Sequence, residues 1–160
     1  MKTSPSSTPA APAESPPPER ALRVLYADDL PELRNLMTAV LSRDGYQIET
    51  VGDGSEALAR LKQDGEGFDL LITDHHMPGT NGLELVRQTR ALAYPGKIVV
   101  FSSELSEEVH EKYRRYGVDA ILSKPVYPHS FRAVLDQMFH TVHLTAHTAR
   151  PAAAPLAAHA

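Results

Sequence analysis

The sequence predicts an α/β fold, a doubly wound, five-stranded parallel sheet with helices on both faces. Five short apolar runs alternate with five amphipathic helical patterns. Several of the runs are apolar at every position, as in Leu70-Leu71-Ile72 and Ile98-Val99-Val100-Phe101. A strand that is apolar on both sides suits a parallel sheet covered by helices on each face.

The first unit opens with the strand Val24-Leu25-Tyr26-Ala27. Leu33, Leu36, Met37, Val40 and Leu41 follow at three- and four-residue spacing, the pattern of an amphipathic helix. A second strand over Gln47–Val51 precedes a helix over 55–62, and a third over 69–73 precedes a helix over 81–90. The fourth unit pairs a strand over 97–101 with a helix over 106–116, and the fifth pairs 120–122 with 128–139.

The ends read differently from this middle. Residues 1–20 form a tail in which 3–18 are almost entirely Ser, Thr, Pro and Ala, too poor in apolar surface to offset the entropy of ordering. Residues 144–160 return to Ala, Pro, His and Thr, with Pro151 and Pro155 interrupting any helix. The expected folded domain is 21–143, one core of ordinary size.

A formal net charge of -4 argues against a general nucleic-acid binder, which usually carries a basic face. With no cysteine, disulfide and thiolate chemistry are excluded. The first 20 residues hold no signal-peptide core, and no run approaches the roughly 18–20 apolar residues of a membrane span. The expectation is a soluble, cytoplasmic protein.

In a parallel sheet the residues just past each strand gather along one edge, where ligands bind at the point of strand-order reversal. Here those residues are Asp28-Asp29, Asp74, Ser102-Ser103 and Ser123-Lys124-Pro125. Crowded carboxylates repel unless a cation sits among them. An all-oxygen donor set favours Mg²⁺, Mn²⁺ or Ca²⁺, and few carboxylates with room for water match Mg²⁺ best. A carboxylate nucleophile, a divalent ion, a lysine and a hydroxyl are the parts of phosphoryl transfer, and the implied product is an aspartyl phosphate.

Asp28-Asp29, Asp74 followed by Met77-Pro78 and Gly82, Ser102, and Lys124-Pro125 resemble the receiver domain of bacterial two-component response regulators. The resemblance covers about 23–138. It implies a flavodoxin-like (βα)5 fold with strand order 2-1-3-4-5, a cis Lys124-Pro125 bond, and Asp74 as phosphoacceptor. It implies Mg²⁺, or Mn²⁺, held by Asp29, Asp74 and the backbone carbonyl of His76, with Asp28 helping through water. Ser102 and Lys124 would bind the phosphoryl group, while His76 and Glu104 would tune its loss. The donor would be a sensor histidine kinase or histidine phosphotransfer protein. The output would be a protein-binding surface on the fourth helix, fifth strand and fifth helix, with neither nucleic acid nor membrane as a direct partner.

One position departs from that pattern. Three residues before Lys124, where many receivers carry Tyr or Phe, stands Ile121, so any switch there works through packing. Since an Ala/Pro/His stretch follows the last helix, the expectation is a stand-alone regulator rather than an enzyme, whose only chemistry is its own phosphorylation and dephosphorylation. A phosphorylation-independent interaction module is the rival. An aspartyl-phosphate phosphatase of the dehalogenase-like type would need a second Asp two residues after the first, and Asp28-Asp29-Leu30 lacks that spacing. Asp29 is also expected to cap the helix containing Pro31. His75-His76 is read as solvated or gate-forming rather than as a transition-metal site, and His140, His143 and His147 as a polar helix end.

Overall fold

The computed structural model describes residues 20–143. Five strands, β1 (Arg23–Ala27), β2 (Gln47–Val51), β3 (Leu70–Asp74), β4 (Lys97–Ser102) and β5 (Ala120–Ser123), lie parallel in the order β2-β1-β3-β4-β5. The helices are α1 (Pro31–Arg43), α2 (Gly54–Asp64), α3 (Gly82–Ala91), α4 (Glu107–Arg115) and α5 (Pro128–His143), with a 3-10 turn at Gly65–Gly67. The doubly wound fold expected from the sequence is the one observed. Among the described residues, no helix is long and apolar enough to cross a membrane.

Alternation along each strand sorts the core into two layers. Leu25, Leu71, Ile98 and Val100 face one side, where they meet Ala57 and Leu58 of α2, Leu85 and Val86 of α3, and Tyr113 of α4. Val24, Tyr26, Leu70, Ile72, Val99 and Phe101 face the other, against Leu41 of α1 and Phe131 and Leu135 of α5. Burial of each large apolar side chain contributes about 1.5–3 kcal/mol. A sheet clamped from both sides therefore holds its strand ends in fixed positions.

The caps follow local chemistry. Asp53, Asn81 and Ser106 each accept a hydrogen bond from the backbone N–H three residues on, opening α2, α3 and α4. At α1 the expected Asp29 cap is not found. The N-cap is Leu30, no side chain bonds to the first turn, and Pro31 at the first helical position has no N–H to satisfy. The neighbouring Asp28 instead accepts from the Leu30 N–H at 2.9 Å. At the other end of the chain, α5 continues to His143, four residues past the expected 139, and His147 lies outside the described residues.

Candidate functional site

Strand order reverses between β1 and β3, and the carboxylates stand at that crevice. Asp28 and Asp29 follow the last residue of β1, and Asp74 is the last residue of β3. One oxygen from each lies within 4.8 Å of the others. Opposite oxygens around an octahedral Mg²⁺ sit about 4.2 Å apart, twice its 2.0–2.1 Å bond length, so this donor set fits a small, hard divalent cation.

Asp28 is fully buried, and both of its oxygens are engaged. Oδ1 takes the Leu30 N–H, while Oδ2 takes the Tyr26 hydroxyl at 2.6 Å and faces Lys124 Nζ at 3.7 Å. Burial, with the Asp28 carboxylate adding to it, pushes Tyr26 far above the usual phenol range, which keeps its hydroxyl a donor. Arg34 of α1 donates to the Asp28 carbonyl oxygen at 2.7 Å. Asp29 remains partly open to solvent.

Asp74 is 4% exposed. Burial raises its carboxyl above the ordinary range. Lys124 Nζ, 3.1 Å from Oδ1, opposes that rise, the Asp28 charge adds to it, and the His76 backbone N–H donates to the carboxylate. Lys124 is positioned by its own backbone N–H, which donates to the Ser102 carbonyl at 2.8 Å, and the Lys124-Pro125 bond that follows is cis. Ser102 ends β4 and is 3% exposed. Its hydroxyl donates to the Glu104 carbonyl at 3.4 Å, a long bond that a better acceptor can replace.

The loop after β3 is held from several directions. His75 donates its N–H to Phe101 and accepts the Gly82 N–H on its carbonyl, each at 2.9 Å. A Cβ at Gly82 would lie 2.4 Å from the Asp74 carbonyl oxygen, so only glycine lets α3 start this close to β3. His75 Nδ1 meets the hydroxyl of the fully buried Tyr113 on α4 at 2.5 Å. Burial, and secondarily its neighbour His76, lowers the His75 imidazole below its ordinary range.

Asp28, Asp29, Asp74 and Lys124 therefore converge, with Ser102 at the adjoining strand end. His76 and Glu104 are exposed on the flanking loops. Ile121 lies on β5, half-buried against the cluster that contains Tyr113. Sequence reasoning missed Tyr26, Arg34 and Tyr113. For Tyr26 the signal was available: it lies two residues before Asp28, which directly follows β1, and that spacing along extended chain puts the two side chains on one side.

The pattern of the response regulator receiver domain matches residues 24–136 of this chain. The sensory/regulatory protein RpfC of Xanthomonas campestris pv. campestris is 32% identical over 111 residues, 67% of this chain and 15% of that protein. The virulence sensor protein BvgS of Bordetella bronchiseptica is 33% identical over 163 aligned positions, 96% of this chain and 13% of that protein. Among solved structures, the chemotaxis protein CheY4 of Vibrio cholerae superposes with a TM-score of 0.68 at 30% identity, over 73% of this chain and 98% of that one.

Proposed function

Because the chain belongs to the response regulator receiver domain family, we propose that it is a switch that accepts a phosphoryl group on Asp74. The donor is a phosphohistidine of a sensor histidine kinase or a histidine phosphotransfer protein. One observation carries this reading: a buried Asp74 carboxylate lies 3.1 Å from a lysine and beside two more aspartates at the reversal of strand order.

An Asp74 oxygen attacks the phosphorus of the donor. The O–P bond forms as the P–N bond breaks, and the bonding pair returns to the donor imidazole nitrogen. Lys124 pairs with the phosphoryl oxygens, and the Ser102 hydroxyl turns from Glu104 to donate to them. Mg²⁺ or Mn²⁺, when bound, neutralises charge on the transferring group. Asp29, Asp74 and the His76 backbone carbonyl would hold it directly. Asp28 would act through water, a role supported by the prior commitment of both its oxygens. His76 and Glu104 flank the path of the water that later removes the phosphoryl group. The reaction is self-catalysed and confined to Asp74, so we read no enzyme activity on another substrate.

A protein donor must bring its histidine to this edge. Beside Lys124 an apolar groove of about 590 Å³ runs between Leu33, Leu36 and Met37 of α1 and Pro125, Val126 and Tyr127. Leu36 and Tyr127 are more than half exposed there, which suits the apolar face of a donor helix. Output is protein contact through α4, β5 and α5, and an ATP-fed phosphorelay assigns the domain to the cytoplasm. A stand-alone regulator is one arrangement. The match of 96% of this chain to 13% of a sensor protein favours a second, a relay step within a longer sensor protein, with the same Asp74 chemistry.

Intact mass after incubation with phosphoramidate tests the reading. The expected result is one added phosphoryl group with Mg²⁺ present and none after chelation. No uptake with Mg²⁺ present would leave the phosphorylation-independent interaction module.

A further inference from the structure

Ile121 offers no polar atom through which the phosphorylation site could move its surroundings. The structure supplies another route, one position beyond Asp74. His75 is fixed at its backbone by Phe101 of β4 and Gly82 of α3, and its ring reaches Tyr113 on α4. The two rings meet edge to face with centroids 5.6 Å apart. Among the described residues, no other hydrogen bond joins α4 to the loop after β3. The Tyr113 hydroxyl is enclosed: a Cβ on Gly82 would lie 3.0 Å from it, and the residue is 0% exposed.

We propose that Tyr113 is a positioning residue that couples the phosphoryl state of Asp74 to α4 through His75. The proposal rests on Asp74 being the phosphoacceptor. Phosphorylation replaces the single negative charge of the Asp74 carboxylate by about two on the acyl phosphate beside His75, and the phosphoryl oxygens draw Ser102 and Lys124 towards themselves. The loop after β3 must adjust, yet the His75 backbone is pinned on two sides, so the adjustment falls on its side chain. A buried hydroxyl that loses its partner has no water to replace it. Tyr113 therefore follows the ring, and α4, which carries Tyr113 on its inner face, follows Tyr113. This link takes the place of an aromatic residue at position 121.

Tyr113→Phe removes the hydroxyl and keeps the ring. Amide ¹⁵N shifts are recorded for the full chain with Mg²⁺, before and after adding beryllofluoride as a phosphoryl mimic. In both proteins, residues 74–77 are expected to shift. Changes across Glu107–Arg115 are expected to fall at least threefold in Tyr113→Phe. His75→Phe should give the same loss, and the double variant no more than either single. These outcomes separate coupling from a general loss of structure, which would also abolish the response at 74–77. Undiminished α4 shifts in either folded single variant overturn the proposal alone. A wild-type protein that shows no response to beryllofluoride overturns it together with the phosphoacceptor reading.

Discussion

At Asp74 one carboxylate meets opposing demands. It is buried beside Asp28, which disfavours its charge, and faces Lys124 and the His76 N–H, which favour it. Burial is the larger effect, so in the absence of a cation the ionised group is held at a cost to stability. Asp74→Asn removes that charge and nearly preserves the shape. In chelator at neutral pH it is expected to be more stable than wild type, because the desolvated charge and its repulsion from Asp28 are both removed. Added Mg²⁺ should raise the unfolding midpoint of wild type and much less that of the variant, because ligands that bind only the folded state stabilise it. An Asp74→Asn protein that unfolds more easily than wild type in chelator would show that Lys124 outweighs burial. That convergence was legible in the sequence because Asp28, Asp29, Asp74 and Lys124 all fall within two residues past the end of a predicted strand. Which oxygen bonds to what was not legible, since it depends on side-chain direction: the neighbours Asp28 and Asp29 divide into a buried, fully bonded residue and a partly open one.

Among the elements, α3 is the one whose start shapes the site, because its first residue packs against the Asp74 carbonyl. Asn81 fixes that start by accepting the Glu84 N–H at 2.9 Å. Asn81→Ala is expected to cost about 1 kcal/mol in urea unfolding, the usual loss for a cap of this kind. An unchanged midpoint would mean that the Gly82–His75 backbone bond alone holds the helix start. The contrast with α1 shows where sequence reading of caps stops. An Asp before a helix with Pro at its first position looks like a cap, yet the chain leaves β1 so that Leu30 occupies the N-cap and Asp28 turns back to bond it. Tyr113 gives the same lesson on α4. The four-residue spacing from Val109 places it on the apolar face, but its reach to His75 follows from how α4 lies across the sheet.

Across the molecule, the parallel sheet converts order along the chain into proximity at one edge. The three central strands, β1, β3 and β4, are apolar enough to be buried, every strand is followed by a helix, and the reversal between β1 and β3 brings residue 28 to residue 74. Strands were therefore readable to within about a residue of their ends, whereas α5 runs four residues past the end that the apolar pattern marks. That architecture concentrates the phosphoryl chemistry on one carboxylate among several. The most direct test is to phosphorylate the protein with phosphoramidate and Mg²⁺, reduce it with borohydride, and map the peptides by mass. Reduction converts an aspartyl phosphate to homoserine, and the account predicts that conversion at Asp74 and at no other aspartate. Homoserine at Asp28 or Asp29, or a stable phosphoryl group on His75 or His76 in its place, would contradict it.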